Sequence, residues 1–316
     1  MKKNFNNRTH VEGYLYDHSL ELKVSGPNSA RPGTEYIAGT VEIATDEAKT
    51  NIVPVHFTYV TSTTSKGTKN ATYATLLDIV TGKLKSIMNN PEDKPVAMLR
   101  IDSAIGLNEF FDSRNNDALI SARRNEGGFV HVTNILNVDE KERNTFDCDM
   151  IITGMAMKEA DPERNLPEKA ILKGWIFDFR NSLLPLELSV LNPNAIAYFE
   201  GLEISTKNPT FTHLRGRQVS EVVAKTITEE SSFGEPYVRE VKNTRKDFVV
   251  TWAANMPYEW DDPSTVTVNE LKELMAARET YLATLKQRND EYKNSRNAAA
   301  AAPVTPEAIV NTGFNF

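Results

Sequence analysis

Apolar and polar positions alternate from Arg8 to His18. Val11, Gly13 and Leu15 fall on one face, and His10, Glu12, Tyr14, Tyr16 and His18 on the other. That period of two is the mark of a half-buried strand, and Gly13 within it predicts a bulge or sharp bend. A turn-rich loop with Ser25-Gly26-Pro27-Asn28 and Arg31-Pro32-Gly33 follows. Tyr36–Thr45 and Ile52–Thr61 then read as second and third strands. Beyond a Ser/Thr/Lys/Gly loop over 61–70 the period changes. Tyr73, Leu76, Leu77, Val80, Leu84 and Ile87 recur at helical spacing, predicting a helix over 71–88 that Asn89-Asn90-Pro91 ends. Strand patterns resume at Val96–Ile105, Leu119–Arg124, Phe129–Leu136 and Phe146–Met157, with Asn125-Glu126-Gly127-Gly128 as a hairpin turn.

The charged stretch 158–168 carries Pro162 and Pro167 and predicts a domain boundary. Alternation returns in Ala170–Phe179, with Leu172, Gly174 and Ile176 on one face and Trp175, Phe177 and Phe179 on the other. Further strands are expected at Ala195–Thr206, Thr210–Ser220, Tyr237–Lys242 and Asp247–Trp252, with no helix after the third strand of this half. Two fragments recur. Gly13-Tyr14-Leu15-Tyr16-Asp17 resembles Gly174-Trp175-Ile176-Phe177-Asp178, and Glu42-Ile43-Ala44-Thr45 resembles Glu203-Ile204-Ser205-Thr206. Positions 13 and 174, like 42 and 203, stand 161 apart. The common offset predicts two related β units in tandem, with Gly13 and Gly174 at equivalent bends. Pro257–Pro263 reads as a linker. Thr267 with Glu270 offers a capping box that opens a helix over 264–296, whose apolar stripe is interrupted by Arg278 and Arg288. Alanines and prolines over 297–316 predict a flexible tail that ends in Phe314 and Phe316.

Composition narrows the function classes. The formal net charge of −7 supplies no global basic field, so any polyanion site has to be a local strip. A single cysteine, Cys148, excludes an internal disulfide framework and a cysteine-rich zinc site, and fits a reducing, cytoplasmic setting. The opening MKKNFNNRTH lacks the apolar run of a signal peptide, and no apolar stretch reaches the roughly 20 residues of a membrane span. Asp147 and Asp149 flank Cys148 and share a strand face, an arrangement that fits a solvated face better than a metal pair. His10, His18, His56, His131 and His213 show no ligand spacing, and no phosphate loop, nucleotide fingerprint or nucleophile elbow is present. A non-enzymatic protein with no cofactor and no metal is expected.

Three strands, a helix and further strands is the order of the five-stranded OB barrel. The opening Arg8-Thr9-His10-Val11-Glu12-Gly13-Tyr14-Leu15 and the later Ala38-Gly39-Thr40-Val41-Glu42-Ile43-Ala44 resemble the first strands of bacterial and phage single-stranded DNA-binding proteins. The resemblance implies a mainly β chain of tandem OB-like barrels with one intra-barrel helix, a C-terminal helix and a flexible tail. Its expected division is 1–157 as an OB-like DNA-binding unit, 169–254 as a second OB-like unit, 264–296 as the helix and 297–316 as the tail. It implies coating of single-stranded DNA in phage replication or recombination. A phage structural or assembly protein of β-barrel modules is the alternative. The resemblance leaves a homo-oligomer open and implies no membrane.

Binding a single strand needs rings for bases and cations for the backbone. The ring candidates are Tyr14 and Tyr16 in the first unit and Trp175, Phe177 and Phe179 in the second, though the second set equally suits packing between units. Basic candidates are Arg8, Lys23, Arg31, Lys66, Lys69, Arg123, Arg124, Arg215 and Arg217. His213, Arg215 and Arg217 alternate on one strand and form the best local basic strip. The family's bacterial members recruit repair and replication partners through an acidic tip with a terminal Phe. Here Phe314 and Phe316 stand in that place without the acids.

Overall fold

Strand pairing closes on itself twice. β1 (Asn7–His18) pairs antiparallel with β3 (Glu35–Ala44), and β3 with β4 (Ile52–Thr61). β4 lies parallel to β6 (Ala118–Thr133), which pairs antiparallel with β5 (Met98–Asp112), and β5 returns to β1. The short β2 (Glu21–Val24) adds an edge to β3. Helix α1 (Ala71–Val80) stands between the third and fourth ring strands. This circuit, closed by one parallel contact, is the OB barrel. β7 (Asn144–Lys158), β8 (Lys169–Phe177), β9 (Leu183–Val190), β10 (Thr210–Glu229) and β11 (Tyr237–Ala253) repeat it. β7 pairs with β8 and β10, β8 with β9, β10 with β11, and β9 lies parallel to β11. Helix α2 (Pro193–Glu200) again separates the third and fourth strands. The long helix α3 (Val268–Ala301) follows. The computed structural model describes residues 3–301, apart from 91–93, 113–114, 162–165, 230–231, 235–236, 261 and 263–264.

The two rings join through β1 and β7, antiparallel, with Asn7 opposite Cys148, Thr9 opposite Phe146 and Val11 opposite Asn144. Ladder irregularities fix which positions correspond. β1 shifts against β3 between Leu15 and Asp17, and β7 shifts against β8 between Ile152 and Gly154. β5 shifts against β6 between Asp102 and Ala104, and β10 against β11 between Arg215 and Gly216. Leu15 thus corresponds to Ile152, Asp102 to Arg215, and their partners Phe129 and Trp252 to each other. On this register Thr9 and Phe146 are themselves equivalent, so the β1–β7 ladder has local two-fold symmetry.

These pairings correct several expectations. The strand at 144–158 opens the second ring instead of ending the first, so the second unit does not begin at 169. Gly13 lies on a first strand and Gly174 on a second, while Glu203–Ser205 follow α2 outside any strand. The 161-residue offset matched alternation, which all half-buried strands share, and not equivalent positions. The strand expected at Ala195–Thr206 is helix α2 over its first part. Asn192 caps it by accepting from Asn194 N at 2.9 Å, and Pro193 supplies a first-turn residue that needs no hydrogen-bonded N–H. Helix α1 stops at Val80 because Gly82 turns left-handed (φ 71°). The chain beyond it runs beside β1, with Ile87 N donating to Leu15 O and Met88 N to Tyr16 O. Asn125–Gly128 is no hairpin turn but a kink within β6. A Cβ at Gly128 would sit 2.1 Å from Asp102 O.

Each barrel has its own core. In the first, Val11, Leu15, Ile37, Val55 and Leu99 meet Leu76 and Ile79 of α1. In the second, Cys148, Met150, Leu172 and Leu188 meet Phe199 of α2. A third cluster forms where the chain ends meet the second barrel. Phe177, Phe211, Val266 and Leu271 gather Phe5, Trp175, Tyr258, Trp260 and Leu274. The described opening residues, from Lys3 on, are therefore a docked arm and not a loose one. Phe5 stacks on Phe177 at 4.1 Å, and the Asn7 amide donates to Ile105 O and Phe177 O. The described part of the expected linker is packed as well: Trp260 Nε1 donates to Pro209 O at 3.2 Å. The capping box forms as read, Thr267 N to Glu270 Oε2 at 2.8 Å and Glu270 N to Thr267 Oγ1 at 3.2 Å. Residues 297–301, expected in the tail, continue the helix. Phe314 and Phe316 lie outside the described residues.

The Lys3 ammonium bonds the same Glu270 carboxylate at 2.5 Å, and with the Thr267 backbone it pulls the Glu270 pKa down from 4.5 to about 2. A carboxylate depressed in the folded state stabilises it fully above its unfolded pKa, and the contribution disappears as pH falls through the folded value. Docking of the arm and of α3 should therefore weaken between about pH 4.5 and pH 2. Thermal melts of the wild type and Glu270→Gln across that range check it. The variant should be less stable at pH 7, and the gap should close by pH 2.

Candidate nucleic-acid interface

The fifth strand of each ring turns an aromatic side chain outward beside a ladder irregularity. Phe129 is 69 % exposed and Trp252 46 %, while Val130 and Val250 nearby are buried. Both positions face a ladder irregularity, which twists the strand locally. The guanidinium of Arg215 lies 5.2 Å from the Trp252 ring centre, and the His213 imidazole meets it edge-on at 5.7 Å. Arg215 is itself 2.8 Å from Asp147. His213 bridges two carboxylates, Nδ1 to Asp149 at 2.7 Å and Nε2 to Asp147 at 3.3 Å. Asp149 also accepts from Tyr258 OH at 3.0 Å and from Asn6 N at 2.7 Å. Burial, reinforced by the Asp149 charge, pushes the Tyr258 pKa up to about 12.

The corresponding surface beside Phe129 has the charges reversed. Asp102 stands at the place of Arg215 and pairs with His10 at 2.7 Å and with Arg100 at 3.8 Å. A groove of about 1340 Å³ begins at Phe129. It runs over the β4–β6 face of the first barrel, past the N-terminal arm and the β8–β9 loop, to α3. Arg8, Tyr59, Phe179, Arg180 and Tyr281 line it. Tyr59 packs against Tyr36 with ring centres 4.4 Å apart, giving a paired platform. On the far wall Arg278 of α3 bonds Glu109 of β5, both nearly buried.

The sequence candidates distribute unevenly over this surface. Arg8 is exposed and lines the groove. Arg215 is 60 % exposed, but Asp147 engages it. Arg217 is half-buried on the same face, so the alternating strip exists with its cations partly compensated. His213 belongs to the carboxylate network and is not a free cation. Tyr14 and Tyr16 are half-buried, and Tyr14 OH donates to Glu47 at 3.0 Å, which raises its pKa. Lys23 is exposed and pairs with Glu21 at 2.9 Å. Arg31, Lys66 and Lys69 stand exposed on loops. Arg123 and Arg124 lie between the barrels. Trp175 and Phe177 are not available to bases: Phe177 is fully buried, and Trp175 packs into the third cluster. Their face of β8 is covered by the arm and the segment before α3. Phe179, beyond the end of β8, is exposed.

Sequence reading missed Tyr36, Tyr59, Phe129 and Trp252. Each lies at or near the end of an expected strand, and nothing local distinguishes an outward ring from an inward one there. The signal was the correspondence of Phe129 with Trp252, visible only once both circuits are drawn. Among the described residues no group of three His, Cys, Asp or Glu side chains is placed to hold a metal ion. No described helix is long and apolar enough to cross a membrane.

Asp149→Ala should cost about 3 kcal/mol, because Asn6 N, His213 and Tyr258 lose a buried charged acceptor. The Tyr258 pKa should fall from about 12 but stay above 10.0, since burial is the largest cause of its rise. Chemical denaturation and a tyrosine absorbance titration read the two effects.

The YorF family model matches residues 6–288, and the chain belongs to that family. No curated protein matches its sequence. Among solved structures it is similar to a deletion mutant of the single-stranded DNA binding protein from Thermus aquaticus. That likeness has 10 % identity and a TM-score of 0.44, and covers 84 % of this chain and 100 % of that one.

Proposed function

We propose that this protein binds single-stranded DNA without catalysis, laying bases on exposed rings of both OB barrels. The observation that carries the reading is the pair of outward rings at corresponding positions, Phe129 and Trp252. An exposed ring costs free energy in water, and two at matched sites call for a common partner. Every base offers a π-face, so such platforms bind strands with little regard to sequence. The Tyr36–Tyr59 pair and the groove beside Phe129 extend the first platform, with Arg8 and Arg180 positioned for phosphates. Arg215 and Arg217 serve the second. The sequence resemblance favours a role in coating strands during phage replication or recombination. Recruitment of replication or recombination proteins through Phe314 and Phe316 belongs to the same proposal.

Fluorescence anisotropy with single-stranded and duplex oligonucleotides at two salt concentrations tests the reading. Single strands should bind far more tightly, and equal or preferential duplex binding would sink it. Trp252→Ala and Phe129→Ala should each lose about 1–3 kcal/mol with little change in salt slope.

The double change Arg215→Ala, Arg217→Ala should act oppositely, flattening the slope by roughly 0.7 for each phosphate no longer neutralised. Asp147→Asn releases Arg215 from its carboxylate and should steepen the slope. An unchanged slope in both variants would remove this strip from the interface.

A further inference from the structure

A second concavity, of about 390 Å³, opens between the barrels, apart from the aromatic groove. Thr40 and His56 of the first barrel form one wall, Arg123 and Arg124 of β6 the floor, and Lys246 and Phe248 of β11 the other wall. Its cations are poorly compensated. Arg123 lies 3.8 Å over the Phe248 ring and donates to the Glu187 carbonyl at 3.0 Å, but pairs with no carboxylate among the described residues. Burial lowers its pKa, the sign of a guanidinium that has lost water without gaining a full counter-charge. Lys246 is exposed and makes no ion pair among the described residues. Arg124 spends one terminal nitrogen on Glu126 at 2.7 Å, while its buried Nε has no acceptor.

Nearby carboxylates offset this set only in part: Asp247 and Glu187 both attract the Arg123 guanidinium, but burial outweighs them. Asp247 is held by Lys169 and by Ser189 Oγ. His56 meets Thr40 Oγ1 at 3.2 Å, and burial with the Arg124 charge lowers its pKa, so it is neutral at pH 7. A desolvated cation without a counter-ion is costly unless an anion completes it. Planar guanidinium groups and a mobile ammonium suit tetrahedral oxyanions. The volume falls in the range of small-ligand sites, roughly 300–1,000 Å³.

We propose that this inter-barrel cleft binds a phosphate group through Arg123, Arg124 and Lys246. The group is carried by a free phosphorylated small molecule or by the backbone of a strand passing from one barrel to the other. The second source rests on the single-strand reading above; affinity for phosphate does not.

Calorimetry on the full chain with pyrophosphate, and with a thymidine oligonucleotide, separates the cases. Pyrophosphate should bind the wild type at one site, and Lys246→Gln, a surface change that leaves the fold intact, should weaken it about tenfold. Arg123→Lys keeps the charge but loses the planar fork, and should also weaken it. If the strand's backbone is the source, the oligonucleotide displaces pyrophosphate and Lys246→Gln lowers its salt slope by roughly 0.7. If a free anion is the source, both ligands bind together and the slope is unchanged. Pyrophosphate binding without any oligonucleotide binding would leave the cleft standing and remove the single-strand reading. Absence of saturable pyrophosphate binding, or equal binding by Lys246→Gln, overturns the proposal.

Discussion

The antiparallel ladder between β1 and β7 is the contact on which the rest of the molecule depends. β1 pairs with β3, β5 and β7, so it belongs to one ring and to the junction at once. Backbone groups at that junction are buried and have to be paired. The ladder does so with Thr9 and Phe146 at its centre, both nearly inaccessible. Because the ladder is two-fold symmetric in register, it relates the barrels and sets the position of every corresponding surface residue. The outward rings Phe129 and Trp252 and the cleft between β6 and β11 follow from it. Asn7 locks the junction further, tying the arm to Ile105 of the first barrel and Phe177 of the second.

Much of the fold was legible in local pattern. Alternation at Arg8–His18, Tyr36–Thr45 and Ile52–Thr61, the helical period after Ala71 and the capping box at Thr267 and Glu270 all correspond to observed elements. These features depend on neighbours in sequence. The ring closures depend on partners far apart in the chain, Thr9 with Ser103 in the first ring and Thr210 with Ile152 in the second. Local pattern therefore gives Phe146–Met157 its strand character but not the barrel it belongs to. The parity of β8 is plain in the sequence, yet which of its faces meets water is not. Phe5, Tyr258 and Trp260 cover the Trp175 and Phe177 side from distant parts of the chain. The same blindness hid Phe129 and Trp252, whose exposure is set by ladder irregularities and not by their own segments.

The electrostatics fit a binder that relies on stacking more than on charge. The chain carries a net −7, and several exposed cations are already engaged, Lys23 by Glu21 and Arg215 by Asp147. Exposed pairs of this kind contribute little to stability, but each must be broken or shared before its cation meets a phosphate. Affinity should then fall less steeply with salt than in a protein with an open basic groove. Beside Phe129 and Trp252 the charges are reversed, Asp102 against Arg215, so the two platforms are alike in rings and unlike in field. A strand laid across both would meet a stacking site in each barrel and a stronger cationic contact in the second.

Photo-crosslinking of an iodouracil-substituted single strand to the intact protein, with the adducts located by mass spectrometry, tests the central claim most directly. The two-barrel account predicts adducts at Phe129 and at Trp252, or at the Tyr36–Tyr59 platform beside the first of them. Adducts confined to other surfaces, or to one barrel alone at saturating strand length, would contradict it.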